Sequence, residues 1–83
     1  MKENEILREQ IFEIVSDQLK NNDPPETTST YNRLIEDGFD DNEVRQMIGS
    51  CVIVEIYDVI QSGKPYDNER FINNLNKLPE NPF

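Results

Sequence analysis

Glu55 is the residue of this sequence that most needs a chemical explanation. It lies within the most apolar stretch of the chain, NEVRQMIGSCVIVEIYDVI at residues 42–60. If this stretch is a helix, Glu55 lies one turn from Cys51 and Val59 on the main apolar face. A carboxylate buried there must be paired, hydrogen-bonded or protonated, because an isolated buried charge is very costly. Its candidate partners are Arg33, Arg45, Arg70, Tyr31 and Tyr66.

Three interpretations of Glu55 are open. The first is a buried contact with an arginine or a tyrosine that determines how the helices pack. The second is a carboxylate with a raised pKa that lines a small pocket, as in acid–base catalysis. The third is a shift in helical phase that brings Glu55 to water at the rim of the core. We favour the first, since an enzymatic function would rest on Glu55 alone.

Other residue sets that carry out catalysis or bind cofactors are missing from the sequence. The chain has no histidine and one cysteine, which argues against a zinc site and excludes a histidine-based triad. Its three glycines are scattered and form no phosphate-binding loop. Cys51 lies on the apolar face, where a free cysteine behaves as a small hydrophobic residue. We therefore predict a non-enzymatic protein with no catalytic residues, no cofactor and no metal site.

Asp37, Asp40, Asp41 and Glu43 form the densest acidic group in the chain. Aligning Gly38 with the fixed glycine of an EF-hand loop puts an arginine first and a valine last, where carboxylates are needed. The group therefore does not match a calcium loop. It is better explained as helix caps and first-turn acids, which the helix dipole favours. Weak surface binding of a divalent cation stays open.

The composition predicts one small acidic domain over residues 1–83, with a loose tail at 79–83. Seventeen acidic residues against eight basic ones give a net charge of −9, which repels nucleic acid and anionic membranes and favours a basic partner. The single cysteine fits a reducing compartment, and the first residues lack the apolar segment of a signal peptide. No apolar run approaches the roughly 20 residues that cross a bilayer. We expect a cytoplasmic protein that binds neither nucleic acid nor membranes.

Aspartate, proline and glycine mark the helix boundaries. Asp23, Asp40 and Asp67 are predicted N-caps, and the first two have a glutamate three residues later that can complete a capping box. After Asp23, a proline suits the first helical position. Gly38 and Gly63 are predicted to end helices in the left-handed conformation. These signals predict four helices at about 5–21, 24–37, 41–62 and 68–78.

The apolar stretch could form a strand or a helix, and its surroundings favour a helix. CVIV is β-branched and suits a strand, but the segment between Asp40 and Gly63 is too long for one, and the sequence offers no second strand. Apolar residues on nearly all sides predict a buried helix. We therefore expect an all-α, compact four-helix domain with the third helix at its centre. Gly49 within this helix predicts the close approach of a neighbouring helix.

Three segments resemble a group of short bacterial helical proteins of uncharacterised function: NDPPE, NRLIEDGFDDNEVRQMIG and EIYDVIQSGKPYDNERFINNLNKLP. Members share the DPP opening, a leucine-rich segment ending in glycine, a stretch close to His-Glu-x-x-His leading into Ile-Gly, and a final Leu-x-x-Leu. This chain keeps Glu43 but has Asn42 and Gln46 in place of the histidines. Histidines one turn apart suggest a metal site, and Asn and Gln are far poorer ligands. The resemblance implies the helical fold and supplies no activity.

Two functions are predicted ahead of the enzymatic one. The first is a helical domain that binds another protein, or a second copy of itself, through an apolar groove between helices. If so short a chain does not cover Ile53, Ile56 and Ile60, these residues would leave a patch for such a partner. The alternative is an acidic, immunity-type inhibitor that masks a basic enzyme such as a nuclease or toxin. Acidic residues gathered on one face would favour the inhibitor, and even scatter would count against it. The candidate interaction surface comprises Ile53, Ile56, Ile60, Asp37, Asp40 and Asp41.

Overall fold

Helices joined by short turns account for most of the chain. The structure, a computed structural model, describes residues 2–82, with side chains from Arg8 onwards. Its helices are α1 (Lys2–Asn21), α2 (Pro25–Glu36), α3 (Asp41–Ser62) and α4 (Asn68–Lys77). The described residues contain no strand, so the all-α four-helix prediction is confirmed and CVIV is helical. None of these four helices is both long enough and apolar enough to span a membrane.

The predicted caps of α3 and α4 are confirmed. The Asp40 carboxylate accepts a hydrogen bond from the backbone N–H of Glu43 at 2.8 Å, and the Glu43 carboxylate accepts one from the Asp40 N–H at 3.1 Å. The Asp67 carboxylate accepts a hydrogen bond from the backbone N–H of Arg70 at 3.0 Å. These bonds satisfy donors that the first turn of a helix leaves without a helical partner.

The predicted N-cap of α2 is wrong. Pro24, rather than Asp23, occupies the cap position in an extended conformation (φ −74°, ψ 151°), and no side chain caps the helix. The reason is Pro25, because a proline pushes the residue before it out of the helical region. Pro25 therefore becomes the first helical residue, where its missing N–H removes no helical bond.

Gly38 and Gly63 end α2 and α3 in the left-handed conformation, with φ of 104° and 68°. At the first of them, the Gly38 N–H donates to the Ile35 carbonyl at 3.1 Å and the Phe39 N–H donates to the Leu34 carbonyl at 3.2 Å. These two bonds form a Schellman motif, which satisfies carbonyls at the end of the helix. Both glycines were predicted in this role.

α3 contacts each of the other three helices, which confirms its central position. α2 also contacts all three, whereas α1 and α4 do not contact one another within the described residues. The apolar side chains buried between the helices supply the main favourable contribution to folding. They are Ile11, Val15, Leu34, Val44, Ile48, Cys51, Val52, Phe71, Leu75 and Leu78.

Gly49 allows α1 to approach α3 closely, as predicted. A Cβ atom at this position would lie 3.0 Å from Cγ2 of Ile11. Ile11 would have to move to accommodate it. The close contact between the helices therefore offsets the cost, about 1 kcal/mol, of a glycine inside a helix.

One side of α3 remains open to water. Its buried residues include Val44, Ile48 and Cys51, which face the other helices. On the opposite side, Tyr57 and Ile60 are 63% and 73% exposed. The expectation of a helix buried on nearly all sides therefore holds for one side only. The other helices have 20, 12 and 10 residues, too few to surround a 22-residue helix.

Candidate functional site

Glu55 is fully buried on α3 and pairs with Arg70 of α4. Nε of the guanidinium donates to Oε2 at 2.6 Å, and Nη2 donates to Oε1 at 2.8 Å. The backbone N–H of Asp67 also donates to Oε1, at 3.3 Å. Both carboxylate oxygens thus have partners, as a buried charge requires. The structure places Glu55 in a buried contact with an arginine, the first of the three interpretations.

Arg70 reaches Glu55 because of the way α4 begins. Asp67 caps the helix, and Arg70 occupies the position where a capping box has Glu or Gln. From there its guanidinium also binds Asp58, with Nη2 3.0 Å from Oδ2. The hydrogen bonds to Glu55 and Asp58 raise the pKa of Arg70 above its ordinary value. Arg70 therefore ties the first turn of α4 to two successive turns of α3.

Cys51 and Tyr66 are ionisable groups near Glu55, and both are neutral at neutral pH. Burial, assisted by the negative charge of Glu55, raises the pKa of the Cys51 thiol to about 11, despite an opposing hydrogen bond with Ser50. Burial first and then Glu55 raise the pKa of Tyr66 to about 12. Because the thiolate is the reactive form of cysteine, Cys51 is a poor nucleophile at neutral pH.

The predicted interaction surface lies at two separate places. Ile53 and Ile56 are half-buried against the core, whereas Ile60 is exposed. The three aspartates, Asp37, Asp40 and Asp41, are exposed near the other end of α3. Asp41 and Ile60 are 19 positions apart, which corresponds to roughly 28 Å along the helix. The structure therefore does not bring the apolar and acidic members together.

Asp41 takes part in bonds within the domain. Its Oδ1 accepts a hydrogen bond from the Tyr31 hydroxyl at 2.7 Å and one from Nε of Arg45 at 2.9 Å. These two bonds, that of Tyr31 first, lower the pKa of Asp41. Nη1 of Arg45 also donates to Oγ of Ser16 at 2.8 Å, which joins α3 to α1. Among the described residues, no three Cys, Asp or Glu side chains are grouped as ligands for a metal ion.

Val54 and Tyr57 extend the apolar surface of α3 and were missed in the sequence. Ile53, Tyr57 and Ile60 are separated by four and three residues, so they share one face of the helix. We call these three residues and Val54 the α3 strip. Counting one turn on from Ile53 would have found Tyr57.

The C-terminal tail reaches the α3 strip. Pro82 is half-buried and lines a shallow cavity of about 330 Å³ together with Ile53, Val54 and Tyr57. Phe83, the last residue of the tail predicted to be loose, lies outside the described residues.

A second cavity, a groove of about 550 Å³, lies between side chains of α1 and α3. Ile11 and Gly49, which are in close contact across the two helices, line it. The other lining residues are Arg8, Phe12, Asn42, Gln46, Ser50 and Ile53. Glu55 lines neither this groove nor the cavity at Pro82, although an acid–base catalyst must reach its substrate.

A comparison with protein-family models found no match, and searches of curated proteins and of solved structures found no significant match. The resemblance to short bacterial helical proteins therefore stays a prediction. The function must be argued from the surface of this chain.

Proposed function

We propose that this chain is a non-enzymatic protein-interaction domain whose α3 strip binds a positively charged amphipathic helix of another protein. The exposure of Tyr57 and Ile60, at 63% and 73%, carries this proposal. They lie on one helix with Ile53 and Val54, which are half-buried. Large apolar side chains grouped in this way are typical of contact surfaces, and tyrosine is enriched in the cores of interfaces.

The spacing of the α3 strip suits a helical partner. Intervals of four and three residues repeat the seam along which two helices pack together. An amphipathic helix lying along α3 would place its own apolar side chains between Ile53, Tyr57 and Ile60. Such packing would remove the exposed apolar surface from water.

The charge of the domain favours a cationic partner over a second copy. Arg33 donates to the carbonyls of Leu78 and Leu75 at 2.8 and 3.0 Å, so its guanidinium is bound at the C-terminal end of α4. Arg45 and Arg70 are paired with carboxylates of the same chain. Carboxylates therefore dominate the outward charge, in keeping with the net charge of −9. Two copies would repel each other, whereas a basic helix would be attracted.

The acidic inhibitor is less well supported by the placement of the carboxylates. Exposed glutamates occur on all four helices, for example Glu13, Glu36, Glu43 and Glu69. An inhibitor that masks a basic active site would need them concentrated on the masking face. Their scatter suits general attraction of a basic partner better than one acidic binding face.

The test compares the wild type with a Tyr57→Ser/Ile60→Ser double variant. Ile35→Ser is the matched control, because Ile35 is also exposed, at 37%, but lies on α2. Each tagged chain is used to capture proteins from its native cell extract, followed by quantitative mass spectrometry. We expect proteins with basic amphipathic helices to be retained by the wild type and the control and to be lost by the double variant. A synthetic peptide of the captured helix should then bind the purified wild type more weakly as salt rises.

Equal capture of the same proteins by the double variant would reject the α3 strip as the binding surface. Sedimentation equilibrium of the purified chain tests the self-association alternative. A dimer that the double substitution converts to a monomer would show that a second copy, rather than a partner helix, covers the strip.

A further inference from the structure

The groove between α1 and α3 contains a cation that the proposed function does not use. Among the described residues that line the groove, Arg8 is the only charged one. It is exposed and forms no hydrogen bond or ion pair with the side chains that the structure describes. Arg33, Arg45 and Arg70 are all bound within the domain. Arg8 is therefore the arginine in the described chain that is left to bind an external anion.

The polarity of the side chains that line the groove changes along its length. α1 and α3 run antiparallel, since Ser16 meets Arg45 and Ile11 meets Gly49. Arg8 consequently lies towards the Ile53 end of the groove. Phe12 lies near the middle of the groove and Ile53 lies at the Arg8 end, and both present apolar surface.

Amide side chains lie at the other end of the groove. Asn42 and Gln46 are one turn apart on α3 and are exposed. Their side-chain amides have no hydrogen-bond partner among the described residues. Asn42 and Ile53 are 11 positions apart, which corresponds to roughly 16 Å along α3. A ligand that spans this distance would meet a cation first, then apolar side chains, then hydrogen-bonding groups.

We infer that this groove binds a small elongated carboxylic acid with a hydrocarbon body and a polar group at its far end. A guanidinium can bind a carboxylate through two parallel hydrogen bonds, which suits Arg8. The hydrocarbon body covers Phe12 and Ile53, and the far polar group bonds to Asn42 or Gln46. The volume of about 550 Å³ lies within the range of small-molecule sites.

The acidic character of the domain does not prevent this binding. At physiological ionic strength, exposed charges more than roughly 8 Å away are largely screened. Of the described residues lining the groove, the charged one, Arg8, is positive.

The test is a titration of the intact, isotope-labelled chain with octanoate, 8-hydroxyoctanoate and uncharged octanamide, followed by the NMR signals of the Gly49 and Ser50 amides. Both acids should shift these signals saturably, and the hydroxy acid should bind more tightly. Octanamide should bind at least about ten-fold more weakly, because it lacks the charge that Arg8 binds. Arg8→Gln should weaken octanoate binding by a similar factor without affecting folding, since Arg8 is exposed.

Lys77→Gln is the matched control, because it removes an exposed cation from α4, which does not contact α1 in the described part of the chain. It should bind octanoate like the wild type. Absence of saturable shifts, or equal binding of octanoate by the wild type and Arg8→Gln, would overturn the inference. Ile53 belongs to both surfaces, but Arg8→Gln leaves the α3 strip unchanged and the double variant of the strip leaves Arg8, Phe12 and Ile53 in place, so the two proposals can fail separately.

Discussion

Two arginine–carboxylate pairs in this molecule share their chemistry but have opposite surroundings. Nε of Arg70 lies 2.6 Å from a Glu55 carboxylate that is 0% exposed, and Nε of Arg45 lies 2.9 Å from an Asp41 carboxylate that is 58% exposed. The first pair joins α4 to α3, and the second spans one turn at the surface of α3. Their bond lengths are nearly equal, so bond length does not rank their importance.

Water makes the difference between the two pairs. Around Asp41 it solvates both partners when they separate, so the pair contributes little net stability. Around Glu55 no water takes the place of a lost partner, and the unpaired carboxylate would remain buried. A buried pair is therefore costly to break, even where forming it adds little to stability.

Arg70→Met should produce the largest loss and test this comparison most directly. It should lower the free energy of unfolding by roughly 2–4 kcal/mol, because Glu55 keeps only the Asp67 amide as a partner. This is somewhat less than for a fully buried pair, since the Arg70 side chain is 38% exposed. Urea unfolding followed by circular dichroism measures the change. A Glu55→Met/Arg70→Met double variant should recover much of the loss, and failure to recover it would show that the arginine stabilises by packing rather than by charge.

The loss of stability at alkaline pH tests the same buried region without changing Glu55 or Arg70. Burial holds the pKa of the Cys51 thiol at about 11, above its ordinary 9.0. Between these values the unfolded chain has lost its proton while the folded chain has kept it, so stability falls as pH rises from about 9 to about 11. Below this window the contribution is fully present. The slope is at most about 1.4 kcal/mol per pH unit.

Urea midpoints measured through this pH window check the sign. Cys51→Ala lacks the thiol and should lose stability less steeply, while both proteins keep Tyr66, whose pKa of about 12 is set first by burial, then by Glu55 and only last by Cys51. Equal slopes in the wild type and the variant would mean that the thiol does not titrate from a buried position.

The helix caps sharpen the comparison, because the same cap occurs beside each pair. Asp40→Ala and Asp67→Ala should each lower the free energy of unfolding by about 1 kcal/mol, since each removes one hydrogen bond at a helix N-terminus. Asp67→Ala keeps the backbone N–H that binds Glu55. If the two variants lose similar stability in thermal or urea unfolding, burial accounts for the different cost of breaking the two arginine–carboxylate pairs. A much larger loss for Asp67→Ala would assign part of it to the way α4 begins.

Arg45→Met should have the smallest effect, about 0.5 kcal/mol or less, because its partner Asp41 is exposed. The loss should shrink further in high salt, which screens the surface pair. Unfolding at low and high ionic strength measures it. A loss equal to that of Arg70→Met would reject the ranking of the two pairs by burial.

Local rules predicted most of the helix boundaries. Asp40, Asp67, Gly38 and Gly63 act on backbone groups within a few residues, so their roles could be inferred from neighbouring sequence. The error at Asp23 was also local, because Pro25 excludes Pro24 from the helix. The number of helices followed from these caps and stop signals, and the apolar spacing favoured a buried position for Glu55 without excluding an exposed one.

The partner of Glu55 could not be chosen in the same way. Three arginines were equally available in the sequence, and packing directs two of them, Arg33 and Arg45, to other partners. Arg33 lies against the end of α4, Arg45 lies at the surface beside Ser16, and only Arg70 faces the buried side of α3. The α3 strip was only partly anticipated for a related reason, since exposure depends on which residues the other helices cover.

The sequence by itself determined most of the points where helices begin and end and favoured a buried Glu55, because caps, glycines and apolar spacing act over one or two turns. Only the tertiary structure decided which arginine pairs with Glu55, which side of α3 stays open and where a groove forms. Those outcomes depend on contacts between residues far apart in the chain. They depend on which parts of the surface of α3 the three shorter helices cover.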